Sequence, residues 1–265
     1  MDKLIKDPNI NFKKKTMFFI TGYLGSPYFF LFAKIGDMYK NMGYNVISLD
    51  VNHFTTVYYP LSVRYMRATG KKAAEMLFEV TKAGLDIKNM EMVGLSLGGQ
   101  TMSYVAKGLR DLTGQKVARL TGLDPAGPCY EDVAPENKLH PSDADFVDVV
   151  YTNIEGLGTT DLAGHVNFYI NGGHWQPGEL WWYPCMNLCS HLRSYNIWFA
   201  ALKFPDKLIG MKCDSVKQAR EKNCYDRVPL ETNVVGLDVD KNKPGIYYVS
   251  TSYKYPYYLA EKGLR

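Results

Sequence analysis

The sequence predicts an α/β protein built on a mostly parallel sheet with helices on both faces. Short apolar runs of strand length alternate with stretches of helical spacing from residue 16 to residue 203. Several of those runs are continuously apolar rather than alternating, as strands buried on both faces require. Two polar groups, Ser96 and Asp124, each fall just after such a run. That is the carboxyl end of a strand, where open α/β sheets gather ligand-handling groups.

Residues 16–21 (TMFFIT) and 45–50 (NVISLD) read as strands, with a helix over 29–42 between them that Gly43 stops. Residues 60–83 form a long helix with Gly70 as its weak point and Gly84 past its end. A strand over 90–95 turns at Ser96 into a helix from about 98 to 112. Strands follow at 117–123, 146–151 and 165–170. Residues 156–189 are otherwise loop-like, carrying Gly172-Gly173, Pro177-Gly178 and Pro184, before a helix from about 190 to 203. Residues 245–250 (GIYYVS) form the last strand. No repeat, linker or low-complexity segment interrupts this order, so a single domain over 1–265 is expected.

Composition excludes several functions. The 265 residues are 46% hydrophobic and 22% charged, enough for a sizeable core. A formal charge of +4, with Lys13-Lys14-Lys15 as the longest basic run, gives no nucleic-acid footprint. No apolar stretch reaches membrane-spanning length, and residues 1–15 are lysine-rich without the apolar core of a secretory signal. The five cysteines, at 129, 185, 189, 213 and 224, are odd in number and lack zinc-ligand spacing, so no metal or cofactor is expected.

Residues 92–99 read Met-Val-Gly-Leu-Ser-Leu-Gly-Gly. A Gly-x-Ser-x-Gly between strand and helix lifts one hydroxyl, that of Ser96, out of the packed layer on a strained turn. The amide of Leu97 and the helix N-terminus then face any oxyanion formed there. A serine needs a neutral imidazole to take its proton and a carboxylate to orient that imidazole. In strand–turn–helix sites of this kind the order is serine, acid, histidine, which removes His53. Asp124, ending a strand, is the favoured acid, while Asp143, Asp145 and Asp148 read as solvated loop or strand-edge carboxylates. His140, His165, His174 and His191 remain as bases. His191, ahead of a predicted helix, is the one a helix dipole would keep neutral. The residues alone do not decide among the four.

Ser96 in GLSLGG, Asp124 in TGLDPAGP and His191 in CSHLRSY, with HPSDADFVDVVYTN and GHVNFYINGG, resemble the pancreatic-lipase family. That group includes triacylglycerol lipases, phospholipases A1 and insect yolk proteins, and the likeness runs in order from residue 16 to the tail GIYYVSTSYKYPY. The resemblance implies an α/β-hydrolase fold with Ser96 as nucleophile, Asp124 as acid and His191 as base. It places Tyr23, with Leu97, in the oxyanion hole. Thr21 and Leu95 depart from it, since histidine is usual at both positions. The family's calcium loop aligns with 135–143, where only Asp143 is kept and Pro135, Lys138 and His140 supply no side-chain oxygen, so no calcium is expected there.

The resemblance also implies a Cys213–Cys224 disulfide. In its lid, Cys189 matches one partner, Glu179 stands where the other cysteine usually lies, and Cys185 either substitutes or stays free. Disulfides imply an oxidising compartment, hence secretion of a chain with a trimmed start, and the family's C-terminal lipid-binding β-domain is not expected. The lid over 179–188 and the loop over 156–164 are short, as in phospholipase A1 members. Trp175, Trp181, Trp182 and Tyr183 stand in or beside the lid and suit a membrane or lipid-droplet interface. The expected function is a serine hydrolase of glycerolipid acyl esters, phospholipase A1-like or lipase. Its rivals are a catalytically silent storage protein of yolk-protein type and a lipid-binding protein on the same fold. Oligomeric state is not legible.

Overall fold

The computed structural model describes residues 2–177 and 185–265, without the side chains of Asp2 and Leu31. Its strands are β1 (Thr16–Ile20), β2 (Asn45–Leu49), β3 (Met90–Leu95), β4 (Val117–Leu123), β5 (Ala144–Tyr151), β6 (Val166–Ile170), β7 (Ile209–Cys213), β8 (Thr232–Val234) and β9 (Gly245–Val249). The helices are α1 (Asp2–Ile5), α2 (Phe30–Asn41), α3 (Asn52–Thr55), α4 (Tyr59–Lys82), α5 (Leu97–Thr113), α6 (Met186–Lys203) and α7 (Val216–Arg220). The chain groups into two compact units, one of Met1–Gly122 with Asp132–Val147, the other of Leu123–Glu131 with Asp148–Arg265.

In the first unit the strand order is β2-β1-β3-β4. β1 lies parallel to both neighbours, Phe18 pairing with Ile47 on one side and Met92 on the other. Every residue of β1 and β3 is buried, which is why these strands read as near-continuous apolar runs interrupted only by Thr16 and Glu91. In the second unit the order is β5-β6-β9-β7-β8. β5, β6 and β9 are parallel there, while β7 runs antiparallel to both β9 and β8.

Boundaries read from the sequence fall within a few residues of these elements. Five short elements escaped the pattern. α1, α3 and α7 span only a turn or so and β8 has three residues, too few for any periodicity. β7 carries Gly210, where an added Cβ would stand 3.0 Å from Val249 and 3.1 Å from Tyr247. A strand interrupted by glycine for close approach loses its apolar signature.

Two carboxylates read as solvated are not. Asp143 and Asp148 are fully buried, and only Asp145 behaves as expected, pairing at the surface with Lys88 at 2.7 Å.

Gly70, the weak point of the long helix by propensity, is where α4 meets α5. A Cβ there would lie 2.7 Å from Tyr104 Cβ and 3.0 Å from the Thr101 carbonyl, and one at Gly108 would lie 2.6 Å from Ala74. Gly70→Ala gains about 1 kcal/mol of helix propensity but overfills this crossing, at a cost of about 1–3 kcal/mol. We expect a net fall in Tm, read by calorimetry. A rise would show that the helices separate at little cost.

Candidate active site

Ser96 caps α5 with φ 55° and ψ −122°, a conformation costing a non-glycine residue about 1–3 kcal/mol. The tight packing of β3, β1 and α5 enforces it. A Cβ on Gly98 would run into the carbonyl oxygens of Ile20 and Thr21, so only glycine permits the helix to start this close. From Met90 to Ala106, all described, every residue but Ser96 is buried. The turn therefore presents one hydroxyl from an otherwise closed layer.

The loop after β1 faces that hydroxyl. A Cβ on Gly22 would lie 2.8 Å from Ser96 Cβ and 3.3 Å from its Oγ. Tyr23 follows, anchored by its own hydroxyl, which donates to the Val57 carbonyl at 2.7 Å, and by edge-on contact with Tyr59 at 5.2 Å. First-turn amides of a helix, Leu97's among them, have no acceptor within the helix. Thr21, at the family's histidine position, is fully buried, and its Oγ1 has no hydrogen-bond partner among the described residues.

Within the second unit, Asp124 directly follows the last residue of β4 at φ 44° and its amide donates to the Val150 carbonyl at 2.8 Å. Its Oδ1 accepts from the amides of Thr152 at 2.7 Å and Asn153 at 3.1 Å, and Oδ2 meets His191 Nδ1 at 2.6 Å. Asp124 is fully buried and the His191 side chain is 5% exposed. A buried carboxylate is tolerated only with such donors. An acceptor at Nδ1 places the ring proton there, leaving Nε2 with a lone pair able to take a proton.

Sequence reasoning missed the groups that hold this pair. A Cβ on Gly158 would stand 2.7 Å from both Asp124 oxygens, so the backbone at Gly158 is packed flat against the carboxylate. Gln176 Nε2 donates to the carbonyls of Thr152 and Ile170 at 3.0 and 2.8 Å, and its amide donates to Ser190 Oγ at 3.1 Å. Asn153 Nδ2 donates to the His174 carbonyl at 3.0 Å and its Oδ1 accepts from Leu157 at 2.9 Å. Burial pushes the stacked hydroxyls of Tyr151 and Tyr169 well above the ordinary phenol range, keeping both neutral beneath this corner. Only the clustering of glycine, asparagine and threonine over 152–159 hinted at any of this.

His191 does not precede its helix. α6 begins at Met186, putting the imidazole in the second turn, where the dipole acts more weakly than at the first. The Asp124 hydrogen bond, rather than the helix end, sets its proton. Of the other histidines, His140 Nδ1 engages Ser142 and His174 Nδ1 lies 3.0 Å from the Ile154 carbonyl. Cys185 pairs with Cys189 across the start of α6, and Cys213 with Cys224. Cys129 is exposed and, among the described residues, free. Trp175 is 48% exposed and stands edge-on to His174. Glu179, Trp181, Trp182 and Tyr183 lie outside the described residues.

The sequence model of the family described as Lipase matches residues 1–257. The chain belongs to the lipase family. Lipase member H-A of Xenopus laevis is 35% identical over 247 residues, covering 88% of this chain and 52% of that protein. Pancreatic lipase-related protein 2 of Homo sapiens is 31% identical over 246 residues, covering 83% of this chain and 51% of that protein. The chain thus spans about half the length of the curated relatives it matches. A crystal structure of Aspergillus fumigatus lipase B is 14% identical, covers 54% of this chain and 39% of that one, and superposes with a TM-score of 0.36. Lipase-family membership and the mostly parallel strand order together make this an α/β-hydrolase fold.

Gly158→Ala tests the support of the buried pair. The added methyl must displace a carboxylate held by three hydrogen bonds, and misplacements of about 1 Å cost roughly 10²-fold in rate. We expect hydrolysis of a soluble short-chain ester to fall by that order while the fold, followed by circular dichroism, persists. An unaltered rate would mean that Asp124 has slack.

Proposed function

We propose that this chain is the catalytic unit of a carboxylic ester hydrolase acting on glycerolipid acyl esters, phospholipids ahead of triacylglycerols, in an oxidising, extracellular setting. The observation that carries the reading is the buried Asp124–His191 hydrogen bond at 2.6 Å. A fully buried carboxylate on Nδ1 is the arrangement that prepares Nε2 to act as a base. Ser96 is the nucleophile. Its Oγ attacks the acyl carbonyl as His191 takes the hydroxyl proton, and the amides of Leu97 and Tyr23 receive the oxyanion. His191 then gives that proton to the departing lysolipid oxygen, leaving an acyl-enzyme on Ser96. Water, deprotonated by His191, releases the fatty acid and regenerates the serine. Asp124 stays ionised throughout and holds the ring. Preference for phospholipid rests on the resemblance, in which residues 179–188 and 156–164 are shorter than their counterparts in triacylglycerol lipases. Secretion rests on the two disulfides.

Substrate held in aggregates calls for a surface that meets the lipid interface, and the loop bearing Tyr23 supplies one. Residues 16–33 carry no charge, and Leu24, Tyr28, Phe29 and Phe30 are each more than half exposed. Trp175 adds an exposed indole in the second unit. Aromatic side chains with a polar edge favour such interfaces.

A fluorophosphonate probe is expected to label the protein, and Ser96→Ala to abolish both labelling and ester hydrolysis, by on the order of 10⁶-fold in kcat. Absence of labelling in folded protein would favour a silent storage or lipid-carrying role. Fatty-acid release from phosphatidylcholine is expected to exceed that from triolein, and the reverse would reassign the substrate. Tyr28→Ala with Phe30→Ala is expected to weaken sedimentation with phosphatidylcholine vesicles at least tenfold, lowering soluble-ester turnover much less. Equal losses in both would remove the docking role.

A further inference from the structure

The loop that the resemblance equates with the family's calcium loop is tied to one stripe of α5. Gln100 Oε1 accepts from the Leu139 amide at 2.8 Å, Ser103 Oγ lies 3.0 Å from the Lys138 carbonyl oxygen, and the Tyr104 hydroxyl donates to the Asn137 carbonyl. Lys107 Nζ donates to the Lys138 carbonyl at 2.8 Å. Positions 100, 103, 104 and 107 share one helix face. Beneath them lies Asp143, fully buried. Its Oδ2 accepts from Ser103 Oγ at 2.8 Å, Lys107 Nζ at 2.8 Å and the His140 amide at 3.0 Å.

Seen from Lys107, the ammonium is surrounded by oxygen. Ser103 Oγ lies at 2.5 Å, and the Lys138 carbonyl and Asp143 Oδ2 each at 2.8 Å. The Lys107 side chain is only 15% exposed. A main-chain carbonyl and a buried carboxylate are oxygens that a calcium ion takes, but calcium wants six to eight of them. Among the described residues, Asp143 is the one buried carboxylate here, its Oδ1 has no hydrogen-bond partner, and no three His, Cys, Asp or Glu converge on a metal position. With the Lys107 ammonium in place, the donor set does not fit a bound calcium ion.

We propose that Lys107 is a tethered cation: its ammonium occupies the oxygen cage between α5 and residues 137–143 and makes that junction independent of calcium. The charge arrives on a helix instead of from solution. It neutralises Asp143, fastens the loop leading into β5, and fixes both to the helix that Ser96 caps. Lys107 also lines a surface cavity of about 460 Å³ with Tyr104, Glu136 and Asn137. Truncating its side chain therefore opens the cage to a solvent cation.

Thermal unfolding in chelator, in millimolar calcium chloride, and in choline chloride of matched ionic strength tests this. Wild type is expected to show one Tm in all three. Lys107→Ala is expected to lose several degrees and to regain at least half of the loss in calcium but not in choline. Asp143→Asn should lose stability that calcium does not return. Lys107→Gln, which keeps a donor without the charge, replaces the alanine variant if that one does not fold, with the same readings. A wild-type Tm that falls in chelator or rises in calcium overturns the proposal. So does a Lys107 variant as stable as wild type, or one whose loss no cation restores.

Discussion

The hydrogen bond between Asp124 and His191 imposes the strictest demand on this molecule. A carboxylate with no exposure is costly unless each oxygen finds donors, and the second unit is organised around providing them. Asp124, just past the end of β4, must take a positive φ to aim the carboxylate. The chain after β5 must turn so that the Thr152 and Asn153 amides point at Oδ1. Residue 158 must be glycine for the backbone to close against both oxygens. Gln176 then ties the end of β6 to the segment after β5 and to Ser190, beside the histidine.

Ser96 answers to a different demand, met inside the first unit by packing rather than hydrogen bonding. Its strained dihedrals persist because β1, β3 and α5 approach more closely than any side chain at 94 or 98 would allow. The same loop that brings Gly22 against the hydroxyl carries Tyr23 and then a run of exposed aromatics. Far along α5, Lys107 and Asp143 hold the helix to the loop entering β5. Ser96 is thus fixed by a buried interior at one end of its helix and by an internal ion pair toward the other.

Much of this is legible in the sequence because it follows from periodicity. Buried parallel strands are largely apolar on both faces, so β1 and β3 stand out, and an elbow needs small residues at 94 and 98. Asp124 is legible as a polar residue ending such a strand. His191 became distinct from three other histidines only through resemblance, since its partner lies 67 residues away in sequence. The start of α6 was misplaced because its first turn is spanned by the Cys185–Cys189 disulfide, which leaves no periodic apolar signal. Gly70 read as a defect and is a contact. Asp143 read as solvated because its counter-charge sits on another element, 36 residues earlier. Long-range electrostatic partners leave no periodic trace.

Proton NMR of the imidazole measures most directly whether Asp124, His191 and Ser96 act as one unit. A strongly deshielded Nδ1 proton should appear in wild type, vanish in Asp124→Asn, and shift when a phosphonate occupies Ser96. Its absence from wild type, or its indifference to modification of Ser96, would contradict the assignment of these three residues to a single catalytic device.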